Sequence, residues 1–146
     1  MPEFKHIMLP LDFSEHCDRV AEYAAWFARV TGATVHLVHV VANPADPIYE
    51  PQEVPYWIMV EHSEQKARAL LEDAAQRCLP RETHLEYHLL TGDAYEKLME
   101  AAERIQPDLI VMSSHGRSGV KHLVMGSVAE KIVRHATCPV FIVRRT

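Results

Sequence analysis

Five strand-sized apolar runs, each separated from the next by a segment of helical period, set the limits on what this chain can fold into. The runs are HIMLPLD (6–12), TVHLVHVV (34–41), HLEYHLL (84–90), DLIVMSS (108–114) and CPVFIVR (138–144). The first, second and fourth are nearly continuous in Leu, Ile, Val and Met, as in parallel strands covered on both faces. The third alternates Leu85, Tyr87 and Leu89 with His84, Glu86 and His88, the pattern of a half-exposed edge strand. Between the runs, Val20, Tyr23, Ala24, Phe27 and Val30 recur every three or four residues before Gly32. Ala67, Leu70, Leu71, Ala74 and Cys78 do so before Pro80, and Tyr95, Leu98, Ala102 and Ile105 before Pro107. These are helices with C-terminal stops, the third opened by a capping box from Asp93 to Glu96. A fourth helix is predicted from Ser127 to about 136, with Val128, Ile132 and Ala136 on one face. Strand and helix therefore alternate from end to end, which requires a parallel sheet with right-handed crossovers and helices on both faces. Such a sheet places its ligand crevice at the carboxyl ends of its strands, where the strand order reverses.

That rule points to two stretches, LPLDFSE after the first strand and SSHGRSG after the fourth. Three of the chain's five glycines fall between Ser113 and Ser127. Glycine serves best where φ is positive or where something approaches the backbone closely. No Gly-Lys pair for a Walker loop exists, and G-x-G-x-x-G is also absent. What remains is Gly116, nine residues, then Gly126 and Ser127 at a helix start. The first amides of a helix have no intrahelical partner and sit at its positive end, so this spacing suits a phosphate, with Arg117 and Lys121 adding charge. The alternative is purely structural: SVAE is itself a capping box, with Ser127 as N-cap and Glu130 at N3.

Composition narrows the function classes. At 146 residues the chain is the size of one domain, 1–146, and its net charge of −5 with no basic block lacks the footprint of a nucleic-acid binder. Three dispersed cysteines without a CxxC pair fit a reducing compartment, and the start of the chain reads as neither leader nor anchor, so a cytoplasmic location is expected. Residues 42–57 carry four of nine prolines and are expected to form an irregular flap, a lid or a plain solvated connection. Ten histidines show no HxH spacing and no Cys/His cluster with ligand spacing; His36 and His39 project to opposite faces of one strand, so no metal site is expected. Asp12 suits a ribose hydroxyl or a magnesium ion, but Asp12 or Ser14 equally suits the N-cap of the first helix. Cys17, in that helix's first turn, is a candidate for a lowered thiol pKa or for simple packing.

With these residues in view, the chain resembles the universal stress protein family over essentially its whole length. The resemblance rests on IMLPLDFSE, VHLVHVV, DLIVMSSHGRSG and GSVAEKIVRHATCPVFIVR. The family's nucleotide-binding branch carries G-x2-G-x9-G-[ST]; this chain reads Ser113-x2-Gly116-x9-Gly126-Ser127, with serine at the first position. The fold expected is an open five-stranded parallel sheet of order 3-2-1-4-5, Rossmann-like and similar to the adenine nucleotide alpha hydrolases. The resemblance implies ATP, with Mg2+, as the ligand. Gly116, Gly126, Ser127 and the amide of Val128 would hold phosphates, and Pro10, Leu11, Asp12 and Val40 would line the adenine and ribose end. Met112, Ser113, His115 and Arg117 complete the expected set. The family also pairs its terminal strands across a two-fold axis, which implies a homodimer through residues 138–144. The function implied is a nucleotide-responsive stress module, at most a slow ATPase, without a defensible catalytic set. The alternatives are a nucleotide-independent dimer acting through protein contacts, or an adenylating enzyme, against which the lack of an S-G-G-x-D-S-like loop argues.

Overall fold

The computed structural model describes residues 2–14, 16–42, 56–116 and 125–144. Five parallel strands run β1 (His6–Pro10), β2 (Thr34–Val41), β3 (Leu85–Thr91), β4 (Leu109–Ser113) and β5 (Val140–Val143), in spatial order β3-β2-β1-β4-β5. Four helices connect them: α1 (Cys17–Thr31), α2 (Tyr56–Cys78), α3 (Ala94–Ile105) and α4 (Ser127–His135). The expected order is the observed one.

Strand alternation divides the core in two. Ile7, Leu9, Val35, Leu37, Leu109 and Val111 face α1 and α2, whereas Met8, Val38, Ile110 and Met112 face α3 and α4. Both faces of the central strands are thus buried, which is why their sequences are apolar throughout. Each fully buried aliphatic side chain contributes about 1.5–3 kcal/mol. No helix among the described residues is long and apolar enough to cross a membrane.

The helices depart from the sequence expectation in instructive ways. The face of α1 turned to the sheet is Cys17, Val20, Ala21, Ala24, Ala25 and Ala28, small residues that let the helix lie close. Val30, expected on that face, is 62% exposed, and Tyr23 is also exposed. Tyr23, Trp26 and Val30 form a second stripe, and the apolar period read from sequence mixed the two. The N-cap of α1 is His16, without a side-chain cap, so neither Asp12 nor Ser14 caps this helix. Gly32, at φ 74°, ends α1 by donating its amide to Ala28 O at 2.7 Å.

Tyr56 and Trp57, placed in the flap, begin α2 instead; past Pro55 no proline interrupts the chain until Pro80. The rest of the expected flap, residues 43–55, lies outside the described residues. Asp93 caps α3, its Oδ1 accepting the Glu96 amide at 2.9 Å. The first strand, read as 6–12, ends at Pro10: Leu11 still donates to Val38 O, but Phe13 adopts φ 59° and turns the chain away. The last strand begins at Val140, after Pro139.

Candidate functional site

The carboxyl ends of β1 and β4 lie side by side at the centre of the sheet, and the chain leaves them in opposite directions, to α1 and to α4. This is the point where the strand order reverses and a crevice opens. Three close approaches shape it. Gly126 donates its amide to Ser114 O at 2.6 Å, so the segment that leaves β4 returns to its own starting point. A Cβ on Gly126 would stand 3.4 Å from both Ser114 O and His115 Cα, and 3.6 Å from Gly116 N. A Cβ on Gly116 would stand 3.2 Å from Asp12 Oδ2. Gly126 has φ −69°, so the left-handed region is not what favours glycine here, and a Cβ would already be in van der Waals contact with the Ser114–Gly116 backbone.

Gly126, and not Ser127, is the N-cap of α4, and no side chain caps the helix. The capping box read at Ser127 is therefore not formed: Ser127 is already the first helical residue. The first intrahelical bond runs from the Glu130 amide to Gly126 O, at 2.9 Å. The amides of Ser127, Val128 and Ala129 precede it at the positive end of the helix, an arrangement that suits an anion.

Asp12 stands across from this helix start. Its Oδ1 accepts the Ser14 amide at 3.0 Å and the Cys17 thiol at 3.4 Å, while Oδ2 faces Gly116. One oxygen thus fixes the loop and the other points toward the crevice. The same carboxylate bears on Cys17. Burial, and secondly the charge of Asp12, push that thiol up to about 11, the opposite of the lowering considered for a helix start. Cys17 is a packing residue.

Ser113 ends β4 opposite Val143, and its hydroxyl accepts the His115 amide at 3.4 Å. The serine that replaces the motif glycine is thus turned onto its own loop. Leu11 and Met112 are buried core residues on opposite faces of the sheet, and Pro10 pairs with Val38 at the end of β1. Val40 lies two residues further along β2, partly buried against the α3–α4 face. Arg117 and Lys121 lie outside the described residues.

The roles of Ser114 and His39 escaped the sequence reading. Ser114 is buried and connects three elements: its amide donates to Val143 O at 3.0 Å, its carbonyl accepts Gly126, and its hydroxyl meets His115 Nδ1 at 2.9 Å. His39 Nδ1 donates to Leu11 O at 2.6 Å, and its ring stacks 4.3 Å from that of Phe13, holding the turn after β1. The serine pair and the aromatic in FSE were visible in sequence, but their partners depend on register.

The model of the Universal stress protein family matches residues 3–144. A universal stress protein encoded in the QAH/OAS sulfhydrylase 3' region of Thermus aquaticus is 38% identical over 142 residues, covering 97% of this chain and 99% of the relative. The solved structure of hypothetical protein MJ0577 superposes with a TM-score of 0.84 at 24% identity, covering 98% of this chain and 97% of that one. A universal stress protein determined in complex with cAMP gives 0.64 at 19% identity, covering 97% and 98%. The universal stress protein of Archaeoglobus fulgidus in complex with dAMP gives 0.57 at 20%, also covering 97% and 98%. With the family model spanning the sheet from before β1 to the end of β5, the chain belongs to the universal stress protein family.

Proposed function

We propose that the chain is an ATP-binding, nucleotide-responsive stress module that works as a cytoplasmic homodimer. The observation that carries this reading is the uncapped start of α4, held by Gly126 against Gly116 and facing Asp12 at the strand-order reversal. The amides of Ser127 and Val128 take the terminal phosphates, as Gly116 leaves the approach clear. Asp12 Oδ2 is the oxygen placed to meet a phosphate-bound Mg2+ or a ribose hydroxyl, and Phe13, Pro10 and Val40 form the apolar end for the base. The cAMP and dAMP held by the two structural relatives support an adenine ligand. His115 makes at most an accessory contact, its ring engaged by Ser114. A fast hydrolase needs a placed base beside an attacking water. Asp12, with one oxygen tied to its own loop, and His115 are weak candidates, so turnover is slow if it occurs.

The dimer forms along β5, the edge strand, beside an exposed aromatic group. Trp26 is 51% exposed, and Tyr23 and Phe27 lie 5.3 and 5.2 Å from Phe141 of β5. Exposed aromatic side chains next to the edge strand of the sheet favour a second chain there. The same patch supports a second reading, a dimer that serves its partners without nucleotide. Mass spectrometry of small molecules released by denaturing the purified protein separates the two. The first reading expects an adenine nucleotide at near-stoichiometric amounts, lost in Gly126→Val; release of none, together with no binding of added MgATP, leaves only the second.

A further inference from the structure

A second cluster of polar side chains lies at the other end of the sheet. His6, His36 and His88, from β1, β2 and β3, form a row on the face covered by α3 and α4, with neighbouring ring centroids 5.2 and 5.1 Å apart. Register brings them together: His36 stands opposite Glu86 and one pair away from His88, and alternation puts Glu86 and His88 on the same face. His36 is only 4% exposed and shares its face with Met8 and Val38. A buried imidazole in such surroundings is costly unless its nitrogens are engaged.

The donor atoms have the geometry of a metal site. His36 Nδ1 is 2.9 Å from His88 Nε2 and 3.4 Å from Glu86 Oε2, and the last two atoms are 3.9 Å apart. The point equidistant from all three lies about 2.0 Å from each, the length of a Zn–N or Zn–O bond. No other set of three His, Cys, Asp or Glu donors comes together in this way among the described residues. His36 Nε2 sits 3.1 Å from His6 Nδ1, so the outer nitrogen can donate its proton to His6 while Nδ1 presents a lone pair, the usual support for a ligating histidine.

We propose that His36 Nδ1, His88 Nε2 and the Glu86 carboxylate bind one Zn2+ ion, with water in the fourth position and His6 as the outer partner. Two imidazoles favour a borderline transition ion over Mg2+ or Ca2+, and the Glu86 side chain, 59% exposed, leaves the open position facing solvent. The ion joins the edge strand β3 to β2 at the amino ends of the strands, away from the crevice at the carboxyl ends. Its binding and nucleotide binding are thus separately testable.

The probe is Co2+, whose visible bands distinguish four-coordinate from six-coordinate sites, titrated into the full chain without a polyhistidine tag and then displaced with Zn2+. One equivalent should give the intense four-coordinate spectrum, and Zn2+ should abolish it. Glu86→Gln and His88→Gln, both at partly exposed positions, should lose the spectrum while keeping the metal-free circular dichroism of the parent chain. His6→Gln should weaken binding roughly 10-fold, as for an outer partner. Gly126→Val should bind Co2+ normally whatever becomes of its nucleotide. Only a weak six-coordinate spectrum, or an unchanged spectrum in His88→Gln and Glu86→Gln, would overturn the assignment.

Discussion

Gly126 shows how much one missing methyl group can specify. Its Cα faces Ser114 O and His115 Cα closely enough that a branched side chain must push the two ends of the loop apart. Gly126→Val should therefore cost roughly 1–3 kcal/mol of stability as an overpacking change, and the variant should retain no nucleotide. Cys17 gives a second test at this scale. With its thiol held up at about 11, only about one molecule in 1,000 carries the thiolate at pH 8. Iodoacetamide at pH 8 should thus label Cys17 far more slowly in the native protein than in urea; equal rates would mean the thiol is not buried against Asp12. Much at this scale was legible from the sequence. The glycines and the helix start stand out by their spacing, and Asp12 by its place at the end of the first strand, because backbone chemistry restricts which residues suit such places. Ser114, His39 and the histidine row were not, since their significance lies in which strand faces which.

Single elements carry the next predictions. Asp108, just before β4, accepts the backbone amides of Lys5 and His6 at 2.7 and 2.9 Å and so fixes the start of β1 to β4. These amides hold its carboxyl below the ordinary aspartate range. The sign follows: a depressed folded pKa stabilises the fold above the unfolded value, near 3.9, and the contribution fades as pH falls through the folded one. Asp108→Asn should be about 1 kcal/mol less stable than the parent at pH 7 by urea denaturation, and the gap should close below about pH 4. A gap independent of pH would contradict this. At the start of α3, Asp93→Ala should cost about 1 kcal/mol through the lost cap. Helix positions were legible because period and stop signals agree. The inward face of α1 was not, because alanine gives a weak apolar signal even when it makes the closest contact with the sheet. The start of α2 was missed for another reason: the proline-rich stretch masked where helix becomes possible again.

For the whole molecule, the parallel sheet and its two helical layers followed from alternation, since a parallel sheet admits few connections, and the strand order followed from the family resemblance. The sheet then separates two chemistries, peptide amides and a carboxylate at its carboxyl edge, imidazoles and a carboxylate at its amino edge. Its β5 edge supplies the proposed dimer contact. Replacing the exposed aromatic there, Trp26→Glu, should leave the monomer fold intact and shift sedimentation from dimer to monomer; an unchanged dimer would place the interface elsewhere. The central claim, that the start of α4 binds the phosphates of ATP, is tested most directly by thermal denaturation of the parent chain and Gly126→Val across a MgATP titration. The account predicts that the parent gains about 2.7 kcal/mol at a hundred times the dissociation constant and the variant gains nothing. No gain in the parent at millimolar MgATP, or an equal gain in both proteins, would contradict it.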